Sequence, residues 1–589
     1  MLSMPPDKPG RRESVEAEPL SLWRAALCLF LLSALVIARQ FTNPNFPSCV
    51  IDDSVLHMSW VQQFSTSMAQ GHWLPRWLPD SNGGYGSPVF IFYSPFVYYL
   101  TALFKFVTGS VIVAMKLARF LALFVSGLTM FVYARSLVHG KAALVVALLY
   151  VVLPFHVLDI SYWTLYAEPW AWVWFPLILM FLRQMLDADR WNSRPMRMFA
   201  VCYGGLILTH LVSAYMFSFV IAGYVVFHLH SKRVLVTLGR VGSATGLGLA
   251  LAAFFLLPAC YEQRFVHIDY ITLRPEFNFR NTFLFFPAPD FIRHAPFQSR
   301  TTVLLQIITL FQTAWAITGL LLIFWTGKVS STVKRELGFV AGVGLSCLFL
   351  MSRPSAWVWD WVPRLTQIQF STRWLSVFSW AVVLIGGLSL DSFRKRGPQS
   401  WLNLLHLSLA FSMVLGTGVL ILSGCFLSEE QNERARRSVQ NAPEYNPRAM
   451  VDWKRQEIWP TDPPFTVIDG QARVRIERWA AENRSLVVEA ETPVRIRIRL
   501  LDYPGWTVLD NGVVTSHGVD PTIGALLLDT SPGEHRIDIK FRTTLWRTGG
   551  LILSLVSGMT LLVLAVIDSV KRGMKRQPDG VASASLESA

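Results

Sequence analysis

The chain has 589 residues, of which 52% are hydrophobic and only 16% are charged. Because a soluble globular domain carries about 25% charged residues, this composition excludes a soluble enzyme and places most of the chain in a bilayer. The 13% aromatic content excludes a disordered chain, and six cysteines are too few for a disulfide scaffold. The net charge of +14 is expected to be divided between the cytoplasmic loops, where it sets the orientation, and the outer face, and nothing in the sequence indicates nucleic-acid binding.

Long apolar segments dominate the chain. A transmembrane helix needs about 20 apolar residues. The stretch 198–229 is too long for one span and holds His210 near its middle, so we expect two short helices that meet at a polar turn. No small-residue cleavage site follows the first apolar segment, which predicts an uncleaved signal anchor. The sequence therefore predicts about twelve spans, with single spans at 20–38, 112–136, 141–158, 168–186, 237–258, 301–325, 337–351, 373–390, 401–424 and 547–568.

The distribution of lysine and arginine predicts the orientation of these spans. With a cytoplasmic N-terminal tail (1–19), the cytoplasmic loops are rich in basic residues, whereas the outer segment 159–167 has none and 352–372 has two. This asymmetry requires that 88–108 does not cross the membrane, so we expect a helix there that lies in or re-enters the outer interface. Both termini are then cytoplasmic, and the tail 569–589 is expected to be disordered. The basic residues of the inner loops include Arg135, Lys141, Arg183, Arg190, Arg194, Arg197, Lys232, Arg233, Arg240, Lys328, Lys334, Arg335, Arg394, Lys395 and Arg396.

Residues 426–546 differ in pattern from the rest of the chain. The stretches ARVRIERW, SLVVEAE, VRIRIRLLDY and EHRIDIKF alternate with period two and are separated by turns such as SPGEH. We therefore expect a small extracytoplasmic β-sandwich before the last helix. Arg495, Arg497 and Arg499 share one strand face, which fits either a solvated surface or binding to anionic lipid or glycan.

The first outer loop (39–111) contains the strongest candidates for chemistry. Asp52 and Asp53 are adjacent carboxylates, and Asp53 shares a helix face with His57 four residues later. Such a pair can act as a general base or hold a divalent cation such as Mg or Mn; an ordinary helix start is the alternative. The GGYG turn permits close backbone approach and offers Tyr85 as a candidate substrate contact.

Other outer segments add ionisable residues at a similar membrane depth. Asp159 and Glu168 flank the segment between spans three and four, and a carboxylate that begins an apolar span is costly and so functional by default. His210 at its turn is either a site residue or a buried, satisfied histidine. Arg373 at the mouth of span ten suits a phosphate at headgroup level, with snorkelling as the alternative. The loop 259–300 contributes Glu262, Arg264, His267, Asp269, Glu276, Asp290, Arg293 and His294, of which Arg264 and His267 are candidate substrate contacts.

Standard site motifs do not occur in the sequence: there is no Walker A, Rossmann, HExxH or CxxC spacing. Cys49, Cys260 and Cys425 fall near the predicted outer face. A bridge between Cys49 and Cys260 is possible, although no spacing argues for it.

Several stretches together carry a family resemblance: IDDSVLH, GHWLPRWLPDSNGGYGSPVFIFYSP, LPFHVLDISYWTLYAEPWAW, LTHLVSA, FFLLPACYE, QIQFSTRW and YPGW. In these the chain resembles the GT-C superfamily of polytopic glycosyltransferases. It is more closely similar to the YfhO-like and "6-pyruvoyl-tetrahydropterin synthase-related" bacterial membrane proteins, the latter a historical label that implies no pterin chemistry. The resemblance covers about residues 20–570 in order. It implies a GT-C-like transmembrane domain over 20–425 in a bacterial inner membrane.

The resemblance also implies roles for individual residues. The usual donor is a polyprenyl-phosphate-linked sugar, and a first-loop carboxylate, here Asp52 or Asp53, is taken as the base. Asp159 or Glu168 matches a second acidic site, and Arg373 matches an arginine that holds the donor phosphate. The chain departs from the pattern twice: Thr164 stands about where relatives often have arginine, and QFSTR replaces a QFPWR-like motif.

The expected function is thus an inverting transfer of a sugar to an envelope glycan, lipid or protein on the outer face, by direct displacement without a covalent intermediate. A lipid or glycan transporter or flippase is one alternative. A non-catalytic scaffold for envelope assembly, with the β-sandwich as its docking module, is another.

Overall fold

A computed structural model describes residues 20–49, 51–163, 165–188, 191–229, 233–273, 275–287, 296–326, 331–393, 401–436, 442–450 and 462–574. The predictions for 1–19, Thr164, Asp290, Arg293, His294 and 575–589 lie outside these residues. So do those for the basic residues Arg190, Lys232, Lys328, Arg394, Lys395 and Arg396, and for the side chains of Asp52 and Glu276.

Helices account for most of the described chain. Their bounds are α1 Leu22–Thr42, α2 Ile51–Ala69, α3 Val89–Phe92, α4 Phe96–Thr108, α5 Val111–Arg135, α6 Gly140–Val151, α7 Pro154–Leu158, α8 Glu168–Asp187, α9 Arg194–Thr209, α10 Leu211–His228, α11 Val234–Leu251, α12 Ala253–Glu262, α13 Tyr270–Leu273, α14 Pro296–Thr326, α15 Ser331–Leu350, α16 Ala356–Trp361, α17 Trp374–Phe393, α18 Trp401–Ser423, α19 Glu429–Arg436 and α20 Leu545–Met574. A π-helical turn, Asp159–Trp163, continues α7.

Each predicted span corresponds to one helix or to two consecutive helices, the latter for 141–158 (α6 and α7) and 237–258 (α11 and α12). Within the described ranges, nine helices are long and apolar enough to cross a membrane. Three helices that correspond to predicted spans are not among those nine. They are α8 for 168–186, α9 for the first half of 198–229, and α15 for 337–351. α9 has only 16 residues, and the other two carry several charged side chains. The prediction of a mostly helical membrane protein with about twelve spans is confirmed, with an approximate span count.

The structure breaks the helices at one predicted point and at one point that was not predicted. His210 is extended (φ −155°, ψ 103°) between α9 and α10, so 198–229 forms two helices as expected. Residues 88–108 were expected to form one helix, but the chain is interrupted before α4. The 13 residues of α4 extend about 20 Å, which is less than the roughly 30 Å hydrocarbon core.

The predicted β-sandwich is confirmed as two antiparallel sheets, with strand orders β1-β4-β8-β7 and β2-β3-β9-β5-β6. Its core contains inward-facing residues of both sheets, such as Ile496, Leu500, Leu486 and Ile537. We call residues 465–541 the β-domain. Its strands are β1 Phe465–Asp469, β2 Ala472–Trp479, β3 Asn483–Ala490, β4 Val494–Leu501, β5 Trp506–Asp510, β6 Val513–Thr515, β7 Gly518–Val519, β8 Ala525–Thr530 and β9 Gly533–Phe541.

A buried ion pair fastens the β-domain and the last helix to the helical bundle. Glu262, at the end of α12, accepts hydrogen bonds from Arg547 Nε and Nη2 at 2.9 and 2.7 Å, and both side chains are buried. The Tyr503 hydroxyl donates to the same carboxylate at 2.9 Å. Arg547 also donates to the carbonyl of Pro504 at 2.9 Å, so the YPGW motif is part of this joint.

The first loop packs against the β-domain through its GGYG turn. Gly84 has φ +89°, and an added Cβ would lie 3.0 Å from Cζ of Arg499, so a side chain there would be strained and crowded. The amide of Leu501 donates to the carbonyl of Tyr85 at 2.9 Å, and the Tyr85 hydroxyl donates to Asp462 at 2.5 Å. The close backbone approach expected of GGYG is therefore made to the β-domain.

A disulfide joins Cys49 to Cys425. The suggested Cys49–Cys260 bridge is wrong, and Cys260 is a free, exposed thiol. The residues after α18 run antiparallel to the residues after α1, with an isolated bridge between Pro47 and Phe426. This backbone pairing brings two cysteines 376 residues apart in sequence together.

Candidate functional site

Two buried carboxylates lie at the end of the bundle that carries the β-domain. Glu168 is the first residue of α8, and Asp159 is the first residue of the π-helical turn. Their exposed fractions are 4% and 0%. Oε1 of Glu168 and both Asp159 carboxylate oxygens make no hydrogen bond with the described residues. Because unsatisfied buried carboxylates are costly, this pair is the first indication of a site.

Arg373 supplies positive charge to this pair. It acts electrostatically on both Glu168 and Asp159. A short turn, Ser371–Arg373, presents it at the start of α17, and its Nη1 donates to the carbonyl of Ile368 at 2.9 Å. Gln369 just before the turn has φ +66°, a conformation that is strained for a residue with a side chain and that concentrates at functional sites.

Aromatic rings surround His57, including that of Tyr166, which lies two residues before Glu168. His57 Nδ1 lies 2.6 Å from the hydroxyl of Tyr98. Burial, and secondarily the Arg119 charge, lowers the pKa of His57 to about 3. The imidazole is therefore neutral at physiological pH, which suits a hydrogen-bonding contact better than an ion pair. The rings within 6.2 Å of its centroid are those of Trp60, Tyr93, Tyr98 and Tyr166.

Arg119 is a site residue that the sequence reasoning missed. It lies in α5, is 1% exposed and acts electrostatically on Asp159. Its guanidinium also lies 4.4 Å from the ring centroid of Phe46. An arginine inside a predicted span is itself a signal of function, so inspection of 112–136 for charged residues could have found it.

The remaining predicted residues divide into two groups. Asp53 is exposed on α2 and acts on Tyr93, which in turn is influenced by Arg373 and Glu168. His210 bonds Ser213 at 2.7 Å and is influenced by Arg373 and His57. The structure thus gathers one set of predicted site residues at a single end of the bundle: Asp53, His57, Asp159, Glu168, His210 and Arg373.

Three predicted substrate contacts lie elsewhere. Tyr85 is in the contact with the β-domain, as described above. Arg264 stacks on Tyr261, with Cζ 3.9 Å from the ring centroid. His267 bonds the carbonyl of Met450 at 3.3 Å. The structure does not bring these three side chains to the carboxylate pair.

The described residues do not form a metal centre. Within the described ranges, no group of three or more His, Cys, Asp or Glu side chains is placed to hold an ion. The two buried carboxylates have Arg119 and Arg373 as countercharges, instead of further anionic ligands. The divalent cation suggested for Asp52 and Asp53 stays a prediction, and no step below uses it.

These features define a polytopic membrane protein with a charged and aromatic site beside a β-domain. The chain belongs to the 6-pyruvoyl-tetrahydropterin synthase-related domain family of membrane proteins, whose model matches residues 90–430. This match confirms the family resemblance for that part of the chain. No curated protein sequence matches it.

Solved structures with a similar fold include three membrane proteins. Arabinofuranosyltransferase AftD from Mycobacteria has 13% identity and a TM-score of 0.44, over 68% of this chain and 26% of AftD. The Archaeoglobus fulgidus oligosaccharyltransferase in the apo form has 13% identity and a TM-score of 0.42, over 74% of this chain and 58% of the oligosaccharyltransferase. ArnT from Cupriavidus metallidurans bound to undecaprenyl phosphate has 14% identity and a TM-score of 0.29, over 62% of this chain and 77% of ArnT. This chain therefore spans about a quarter of the length of AftD.

Proposed function

We propose that the chain is a membrane glycosyltransferase that uses a polyprenyl-phosphate-linked sugar and acts on an envelope glycan, lipid or protein. One observation carries this proposal: Arg373 acts electrostatically on the buried pair of Asp159 and Glu168, beside a cluster of aromatic rings. Arginine suits a phosphate, and aromatic faces provide apolar surface with polar edges. Carboxylates provide the acceptors and the base that transfer to a hydroxyl requires.

The chemistry is a single displacement at the anomeric carbon. Asp53, or its neighbour Asp52, takes the proton of an acceptor hydroxyl as that oxygen bonds to the anomeric carbon. The bond between this carbon and the phosphate oxygen breaks, and the electron pair leaves with the polyprenyl phosphate. Arg373 compensates the charge on the departing phosphate, and the configuration inverts because only one displacement occurs. The exposure of Asp53 supports a role toward an acceptor arriving from solvent.

The proposed site faces the outside of a bacterial inner membrane. The helix ends opposite the β-domain hold Arg135, Arg183 and Arg197, of which Arg183 bonds the carbonyl of Ser136 and Arg197 pairs with Asp568 at 2.8 Å. Enrichment of arginine at this end supports a cytoplasmic placement by the positive-inside rule. The β-domain and the carboxylate pair are then extracytoplasmic, and both termini are cytoplasmic.

The proposal is tested by complementing a deletion strain and profiling lipid-linked sugars and surface glycans by mass spectrometry. Asp53→Asn and Arg373→Gln should abolish one glycan product and raise the level of its lipid-linked donor, with protein levels unchanged. Asp269→Asn is the matched control, because this exposed outer carboxylate pairs only with Arg448 among the described charges.

Three outcomes would contradict the proposal. Unchanged glycans in Arg373→Gln and in a double Asp52→Asn, Asp53→Asn variant would exclude this site. Substrate-stimulated transport in proteoliposomes that is independent of Asp53 would instead indicate a transporter. Loss of a partner complex on deletion of 430–545, with normal behaviour of the Asp variants, would indicate a scaffold.

A further inference from the structure

The segment between the helical bundle and the β-domain returns to the candidate site. We call residues 442–450 the linker segment. Asn82 in the first loop donates to the side chain of Asn446 at 3.0 Å. The amide of His267 donates to the carbonyl of Asn446 at 3.1 Å, and the amide of Arg448 donates to the carbonyl of Phe265 at 2.8 Å. Hydrogen bonds to two outer loops therefore hold the linker segment in place.

The linker segment brings Tyr445 beside the charged site. Tyr445 ends the turn Pro443–Tyr445, and its ring stacks on Phe92 at 5.9 Å with an interplanar angle of 1°. Trp60, which also contacts His57, lies 6.3 Å from the Tyr445 ring. Glu444, Tyr93 and Arg373 act electrostatically on the phenol. These contacts place the Tyr445 ring beside the aromatic cluster around His57, where Arg373 acts electrostatically on its phenol.

The hydroxyl of Tyr445 is available for a ligand. The residue is half-buried, and its hydroxyl makes no hydrogen bond within the described part of the chain. A phenol donates readily to a phosphate oxygen, and its ring is already immobilised by Phe92, so little conformational entropy is lost on binding.

We propose that Tyr445 is a ligand-contact residue that donates a hydrogen bond to the phosphate of a polyprenyl phosphate held by Arg373. This inference rests on the proposed function and deepens it. The linker segment then completes the site, because it supplies a contact that the helical bundle lacks.

The test is equilibrium binding of undecaprenyl phosphate to the purified full chain in detergent, followed by native mass spectrometry. Tyr445→Phe keeps the stacked ring and removes the hydroxyl, and should weaken binding about tenfold, as expected for a hydrogen bond to a charged group. Tyr99→Phe is the control, because that hydroxyl donates to the carbonyl of Trp73 at 2.7 Å. It should bind as the unmodified protein does. Thermal melting should be the same for Tyr445→Phe and the unmodified protein.

The outcomes separate the two proposals. If Arg373→Gln weakens binding but Tyr445→Phe does not, the Tyr445 inference is overturned and the phosphate site stands. If neither variant changes binding, the phosphate site itself is wrong. If only Tyr445→Ala weakens binding, and it also lowers the melting temperature, the ring has a packing role and the proposed hydrogen bond is refuted.

Discussion

Lowering the pH from 7.5 to 5.0 should destabilise this protein through His57. Burial, with a smaller effect of Arg119, holds the pKa of His57 at about 3, whereas an unfolded histidine has a pKa of about 6.5. The unfolded chain therefore binds a proton in this window that the folded chain does not, and stability falls as the pH drops below about 6.5. At pH 5.0 protonation of His57 in the unfolded chain lowers the free energy of unfolding by about 2 kcal/mol. This pH lies about 1.5 units below the pKa of the unfolded histidine, and each unit is worth roughly 1.36 kcal/mol.

The assay compares the unmodified protein with His57→Gln. Unfolding in mixed micelles with increasing denaturing detergent gives the free energy at each pH. Other titrating groups are common to both proteins, so the difference between their pH dependences isolates His57. His57→Gln should lose less stability than the unmodified protein over this range, by about 2 kcal/mol. Equal pH dependence in the two proteins would refute the neutral, buried imidazole.

Two further predictions concern the contacts that hold together the end of the helical bundle that carries the β-domain. Glu262→Gln leaves the Arg547 guanidinium, whose side chain is 0% exposed, without its countercharge and should cost about 3–5 kcal/mol in the same unfolding assay. Asp360→Asn, which breaks a half-exposed pair, should cost less than about 1 kcal/mol; equal costs would contradict the burial argument. Without reductant, a maleimide should leave Cys49 and Cys425 unlabelled, and peptide mass mapping should find both labelled after reduction. Labelling before reduction would exclude the disulfide.

The sequence predicts the helices and the β-domain well because their signals are local. Apolar length marks spans such as 401–424, and period-two alternation marks strands such as Val494–Leu501. Even the break at His210 is visible, because a polar residue divides an apolar stretch that exceeds one span. The interruption before α4 was less visible, since the whole of 88–108 is apolar.

The site is only partly visible in the sequence because its members come from distant segments. Glu168 and Arg373 were identifiable as charged residues at span ends. Tyr445 was not, because it lies in a polar segment whose position depends on hydrogen bonds to two other loops. Tyr85 stays a prediction: glycine-rich turns suggest ligand approach, and in the structure Gly84 of this turn makes room for Arg499.

The replacement of Pro-Trp by Ser371-Thr372 raises the question of whether Arg373 still has a defined position. Ser371 donates its amide to Oγ1 of Thr282 at 3.2 Å, a bond that proline cannot make because it has no N–H. Its hydroxyl donates to the Thr282 carbonyl at 2.6 Å. Two hydrogen bonds thus fix the turn that proline would otherwise restrict through its fixed φ. The departure therefore changes how the turn is held and leaves Arg373 within electrostatic reach of Glu168, as the proposed phosphate contact requires.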